Sequence, residues 1–233
     1  VSRRLVAEAL GSALLVVAVV GSGAMAQRLS TDQGLQLLEN SAATAGALVA
    51  LIVVLGPVSG AHFNPLVSLL ARWSGELDTR MLVAYGGAQT GGGCLGTVVA
   101  NLMFDLPAIE LSATRRWGPD LWLSETVAAV GLLLVINGCA RTARASAVPY
   151  AVALWIGGAY WFTSSTSFAN PAVTVARTLS DTFAGIAPAS APPFIAAQLV
   201  GALAAWPMIN FLFPIRPGDA QSGSSSDRGV ALE

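Results

Sequence analysis

Apolar residues run along this chain in long blocks, and the charged positions fall almost entirely at the block edges. Leu5 to Ala26 is broken only by Glu8, Leu121 to Ala140 only by Glu125, and Met81 to Phe104 and Thr182 to Ile215 carry no charge. Two further blocks are longer: 32 uncharged residues lie between Glu39 and Arg72, and another 32 between Arg144 and Arg177. A helix needs about 20 apolar residues to cross the ~30 Å hydrocarbon layer of a bilayer. The pattern therefore predicts six membrane helices, near residues 5–26, 39–56, 81–104, 121–140, 146–163 and 192–213. Each 32-residue block is too long for one crossing and too short for two. Each is expected to hold a helix plus a segment that enters the membrane without crossing it. Glu8 inside the first block argues against a cleaved signal segment.

Composition narrows the class. Of 233 residues 54% are hydrophobic and 11% charged, with a mean hydropathy of +0.65, where a soluble domain carries about 25% charged residues. The 12 basic residues are all Arg, and with 13 acids the net charge of −1 gives no footprint for nucleic acid. Cys94 and Cys139 lie in apolar runs without CxxC spacing and read as small buried hydrophobes. His62, the one histidine, lacks the partners a metal site needs, so neither metal nor cofactor is expected. Cytoplasmic loops retain positive charge. With both termini inside, Arg3, Arg4, Arg72, Arg80, Arg141, Arg144, Arg216 and Arg228 are cytoplasmic and Arg28, Arg115, Arg116 and Arg177 external, which favours that orientation eight to four. The stretch 218–233 is rich in Ser, Gly and Asp, lacks periodicity, and is expected to be disordered.

The two halves repeat. Glu8 aligns with Glu125, Asn64 with Asn170 and Gln89 with Gln198, in one order and at offsets of 117, 106 and 109 residues. Three crossings per half is an odd number, so the second copy (about 118–215) enters from the face opposite to the first (about 1–104), as in inverted-repeat transport proteins. The Asn-Pro pairs account for the excess length of the uncharged blocks, because Asn favours the N-cap and Pro the first turn of a helix. Each block reads as a span, a return loop and a half-helix starting at Asn-Pro. Entering from opposite faces, the half-helices would meet with their positive dipole ends at the midplane.

These residues resemble the major intrinsic protein family, the aquaporins and aquaglyceroporins. SGAHFNPLVS at 59–68 is similar to the family's first box, with Leu66 in place of the usual Ala, and ANPAVT at 169–174 holds the second box intact. The resemblance spans residues 4–213, so an aquaporin-like channel domain of residues 1–217 is expected: all-α, with six transmembrane helices and two re-entrant half-helices. It implies a homotetramer with one pore per monomer, in the bilayer of a bacterial inner membrane. It further implies that Asn64 and Asn170 point donors into the pore centre. The carbonyls of Gly60, Ala61, His62, Thr166, Ser167 and Phe168 would form acceptor ladders leading there, and Glu8 and Glu125 would support the return loops. A proton relay through the two Glu is the competing reading, against which the scarcity of titratable neighbours counts. Gln89 and Gln198 read as interhelical glue before pore lining.

Counted from the boxes, the family's selectivity constriction falls on Thr44, Gly158, Ser167 and Val173. Most relatives carry Arg at the last position, so a wide filter without a fixed cation is expected. Arg177 lies one turn beyond Val173 on the same helix face. Two readings of it stay open: a displaced charge lining the vestibule, or an interfacial residue that pairs with Asp181 or reaches headgroups. The small filter set is similar to that of arsenic-associated bacterial members.

The resulting expectation is a passive channel for water, glycerol-like polyols and neutral arsenite or methylated arsenicals. A water-selective pore, a coupled transporter with inverted repeats, and a structural protein using the same fold are the alternatives. Nothing in the predicted membrane region offers the residues an enzyme would need.

Overall fold

The computed structural model describes residues 1–214, and every regular element among them is a helix. The predicted tail at 218–233, together with Arg216 and Arg228, lies outside the described residues. Eight helices carry the fold: α1 (Ser2–Leu29), α2 (Gln33–Ser59), α3 (Pro65–Trp73), α4 (Thr79–Met103), α5 (Pro119–Arg141), α6 (Val148–Phe162), α7 (Pro171–Ala176) and α8 (Ala191–Leu212). Short 3-10 turns at Ala145–Ala147, Arg177–Leu179 and Pro188–Ser190 adjoin α6, α7 and α8. Thus α1, α2, α4, α5, α6 and α8 are the six predicted spans, and α3 and α7 are the half-helices predicted at Asn-Pro. By length and hydropathy alone α1, α2, α5 and the stretch Pro188–Leu212 qualify as membrane spans. Helix α4 is diluted by glycines, and α6, at 15 residues, reaches crossing length only with its leading turn.

The inverted repeat governs the packing. Helix α1 packs on α2 and α4, and α5 packs in the same way on α6 and α8, while α2 against α6 joins the halves. Close approach within each half depends on glycine. A Cβ on Gly92 or Gly96 of α4 would run into the α1 carbonyls of Ala9 and Ala13, and one on Gly201 of α8 would lie 2.8 Å from the Thr126 carbonyl of α5. Gly92 and Gly201 each follow the repeated Gln by three residues, so the packing contact repeats along with the motif.

Both ends of the described chain lie at one face. Arg141 there bonds the Phe213 carbonyl, the Asn210 side chain and, at 3.3 Å, Ser74 in the α3–α4 connection. The opposite face is closed by the segment between α4 and α5, which runs beside the chain after α7: Glu110 N bonds Leu179 O, Ser112 N bonds Thr178 O, and Ala187 N bonds Thr114 O. Arg116 is drawn into that face and donates to the carbonyls of Gly185, Ser165 and Phe183.

Candidate functional site

The Asn-Pro signals act as read. Asn64 Oδ1 caps α3 by accepting from Leu66 N at 2.9 Å, and Asn170 Oδ1 caps α7 by accepting from Ala172 N and Val173 N at 3.0 and 3.2 Å. Each amide nitrogen crosses to the other repeat. Asn64 Nδ2 donates to Ala169 O and Asn170 Nδ2 to Phe63 O, both at 2.8 Å. These bonds lock the half-helices start to start. Each Nδ2 has two hydrogens and spends one here, leaving the second for the cavity that both residues line.

The return loops before each Asn are strained and held by the buried Glu. Ala61 and Phe63 have φ of 49° and 47°, and Ser167 and Ala169 have 51° and 47°, left-handed values that cost non-glycine residues about 1–3 kcal/mol each. Glu8 offsets the first set: Oε1 accepts from Ser59 Oγ (2.6 Å) and His62 N (3.0 Å), and Oε2 from Phe63 N and Gln89 Nε2 (both 2.8 Å). Glu125 repeats the pattern with Ser165 Oγ (2.6 Å), Phe168 N (2.9 Å), Ala169 N (2.9 Å) and Gln198 Nε2 (2.6 Å). The same two glutamines also donate to Ser68 and Thr174. Both glutamines are fully buried among these partners, so in the structure they tie helices together.

This pairing fixes where the carbonyls face. In a trans peptide the C=O points opposite to its N–H, and the described chain has no cis bond. The N–H groups of His62, Phe63, Phe168 and Ala169 turn to the Glu, and those of Ala61 and Ser167 to the hydroxyls of Ser59 and Ser165. The carbonyls of Gly60, Ala61, His62, Thr166, Ser167 and Phe168 are therefore turned away from that buried cluster. Five of these residues line the cavity, and Thr166 is not among the lining residues.

The cavity holds about 740 Å³ and runs from Glu76 and Ala145 past both Asn to Arg177. Its walls between the loops and the mouths are apolar, from Leu15, Val19, Leu48, Val152 and Ile156. Thr44, Ser167 and Val173 line it as counted, but Gly158 does not. The α6 residues in the wall are Val148, Val152, Ile156 and Tyr160, a stripe at intervals of four. Gly158 is two residues from each of the last two, about 200° around the helix, and is exposed on the outer side. Tyr160 takes its place, with its hydroxyl 3.2 Å from Thr44 Oγ1.

Arg177 is the second departure. It does not pair with Asp181, whose carboxylate accepts from Ala113 N and Ser112 Oγ. It is 2% exposed, lines the cavity, bonds the Ala184 carbonyl through Nε and lies with Cζ 3.4 Å from the Phe168 ring centroid. The vestibule reading is the one this geometry matches: the counted position 173 carries no cation, and the Arg177 charge stands one turn further along. The i+4 stripe on α6 was a signal available in the sequence for Tyr160. Burial of Arg177 depends on the segment before α5 folding over the mouth, which no local pattern announces.

His62 turns its ring against Tyr85, with centroids 5.3 Å apart, and its Nδ1 lies 3.0 Å from Ser68 Oγ. Ser68 already accepts from Gln89 and can donate to Asn64 O, so a proton on His62 Nδ1 satisfies every partner. Among the described residues no group of three or more His, Cys, Asp or Glu is placed to hold a metal ion.

Two half-helices locked start to start in an inverted repeat, with a continuous cavity past both Asn, define a membrane channel. The sequence model of the family described as "Major intrinsic protein" matches residues 1–117, and the chain belongs to that family. It is an integral membrane channel for small neutral solutes and not an enzyme. It is 52% identical over 217 residues to "Aquaglyceroporin AqpS" of Rhizobium meliloti (strain 1021), covering 93% of each chain. It is 39% identical over 98 residues to "Aquaporin-8" of Notomys alexis, covering 42% of this chain and 36% of that one. The X-ray structure of the aquaglyceroporin from Plasmodium falciparum superposes with a TM-score of 0.73 at 19% identity, covering 92% of this chain and 96% of that one.

Proposed function

We propose that this channel passes glycerol-like polyols and neutral trihydroxy solutes such as arsenous acid and its methylated forms, along with water. The observation that carries the reading is the cavity of about 740 Å³ whose wall holds both apolar and hydrogen-bonding residues. A polyol lays its carbon edge on Val173, Ile156 and Phe168 while its hydroxyls meet Thr44, Ser167 and the loop carbonyls. Asn64 and Asn170 then each donate one N–H to a solute oxygen at the centre. The carbonyls on either side accept its hydroxyl protons in turn, so water is shed stepwise and no buried polar group goes unpaired. The positive starts of α3 and α7 oppose cations at the same point. His62 contributes its carbonyl and a loop-fixing ring, and Glu8 and Glu125 hold the loops.

The assembly proposed is a homotetramer in a bacterial inner membrane, with both termini cytoplasmic and the Arg177 mouth external. The relative from Rhizobium meliloti carries the name aquaglyceroporin, which supports polyols over water alone.

The test is a stopped-flow panel on proteoliposomes with glycerol, arsenous acid and water. Uptake of all three above protein-free vesicles is expected. Water flux with both larger solutes excluded would replace this reading with a water-selective pore.

A further inference from the structure

The Arg177 guanidinium is buried without an anion. Its Nε goes to the Ala184 carbonyl and its face to the Phe168 ring. The two Nη nitrogens bond no described residue, yet neither is closed off from the cavity that Arg177 lines. The carboxylates of Glu125 and Asp181 are occupied, the first by four donors and the second by Ser112 and Ala113. A second cation adds to the field, since Arg116 lies with Cζ 5.2 Å from the same ring and bonds only carbonyls through its side chain. The two guanidiniums share one aromatic ring, and the Nη fork of Arg177 is left without an acceptor.

Inward from this point the lining sets the apolar Val173, Ile156, Val152 and Leu48 beside loop carbonyls, which only accept hydrogen bonds. An anion there must shed water that those walls cannot replace.

Building on the channel reading, we propose that this mouth is a binding site for a small monoanion with a carboxylate or sulfonate head. The Nη fork of Arg177 holds the head, matching the bidentate geometry a guanidinium offers. The bound anion goes no further and blocks the passage of neutral solutes. The mouth thereby serves as an inhibitory site as well as an entrance.

Acetate and methanesulfonate are the probes, and acetamide is the uncharged control of similar size. Methanesulfonate stays ionised throughout and does not leak through lipid as a neutral acid. Proteoliposomes are equilibrated with each probe on both sides, in a bulky zwitterionic buffer, and glycerol swelling is recorded. Both anions are expected to slow swelling saturably, with acetamide inactive. Normalised to each variant's own uninhibited rate, Arg177→Gln raises the half-inhibiting concentration by about tenfold or more, the loss of a charge-assisted hydrogen bond. If Arg177→Gln fails to swell in glycerol, Arg177→Lys, which keeps the charge but loses the fork, is expected to weaken inhibition instead. Glycerol-permeable wild type that ignores both anions overturns the proposal, as does equal inhibition by acetamide or inhibition unchanged in the Arg177 variants. Absence of glycerol swelling in wild type overturns the channel reading itself.

Discussion

Removing the Glu125 carboxylate tests how the return loops are held. In Glu125→Ala four donors lose their acceptor together: the Ser165 hydroxyl, the N–H groups of Phe168 and Ala169, and the Gln198 amide, at 2.6 to 2.9 Å. Hydrogen bonds to a charged group contribute about 1.5–3 kcal/mol each, so the gross loss is on the order of 6–12 kcal/mol. Water entering the space and relaxation of the left-handed residues return part of it. A net destabilisation of about 3–5 kcal/mol is expected, the range for breaking a buried charged interaction from one side. The assay is thermal unfolding in detergent followed by size-exclusion chromatography, beside glycerol swelling after reconstitution. The midpoint is expected to fall steeply and glycerol permeation to be lost, because the carbonyls of Ser167 and Phe168 lose the N–H anchoring that aims them. Glu125→Gln keeps an acceptor on one side and turns an NH₂ toward two donors, so it is expected to fall between. An alanine variant with unchanged midpoint and glycerol flux would refute the claim that this carboxylate sets the loop.

Other substitutions probe the pathway wall and the helix contacts. Val173→Arg adds a second guanidinium one turn from Arg177 and is expected to cut glycerol flux far more than water flux, read as the ratio of swelling rates; an unchanged ratio would place the constriction elsewhere. Gly158→Ala and Tyr160→Ala separate the counted filter position from the observed one. The first is expected to leave solute ratios untouched and the second to change them, and the reverse result would restore Gly158 to the wall. Gly92→Val on α4 forces a side chain against the Ala9 carbonyl and is expected to lower the folded yield in detergent, whereas the same change at Gly91, where a Cβ meets nothing within 4 Å, is expected to be tolerated.

Much of this architecture is written in residues whose chemistry is local. Glu8 and Glu125 interrupt apolar blocks, and Asn-Pro starts a helix by capping rules that need no tertiary context. The excess length of each uncharged block then calls for the half-helix that α3 and α7 supply. The central Asn pair follows from the same signals, because two helices that start inside a membrane must satisfy their first N–H groups there. Counting along the chain located Thr44, Ser167 and Val173 in the cavity wall but misplaced the α6 member, since a two-residue error in register turns a helix position to its far side. The Val148, Val152, Ile156, Tyr160 stripe carries the right register, and all four positions are legible without coordinates. Arg177 is different in kind. Its burial depends on Ala184, on the Phe168 ring and on the segment from Asp105 to Gly118 closing over the mouth, contacts between stretches that share no pattern.

Passage of neutral solute through the one continuous pathway is passive. Its most direct test is the initial rate of glycerol uptake into proteoliposomes measured with and without an imposed proton or sodium gradient. The rate is expected to exceed that of protein-free vesicles, to grow linearly with the glycerol gradient and to be indifferent to either ion gradient. Uptake that requires a proton or sodium gradient would contradict it.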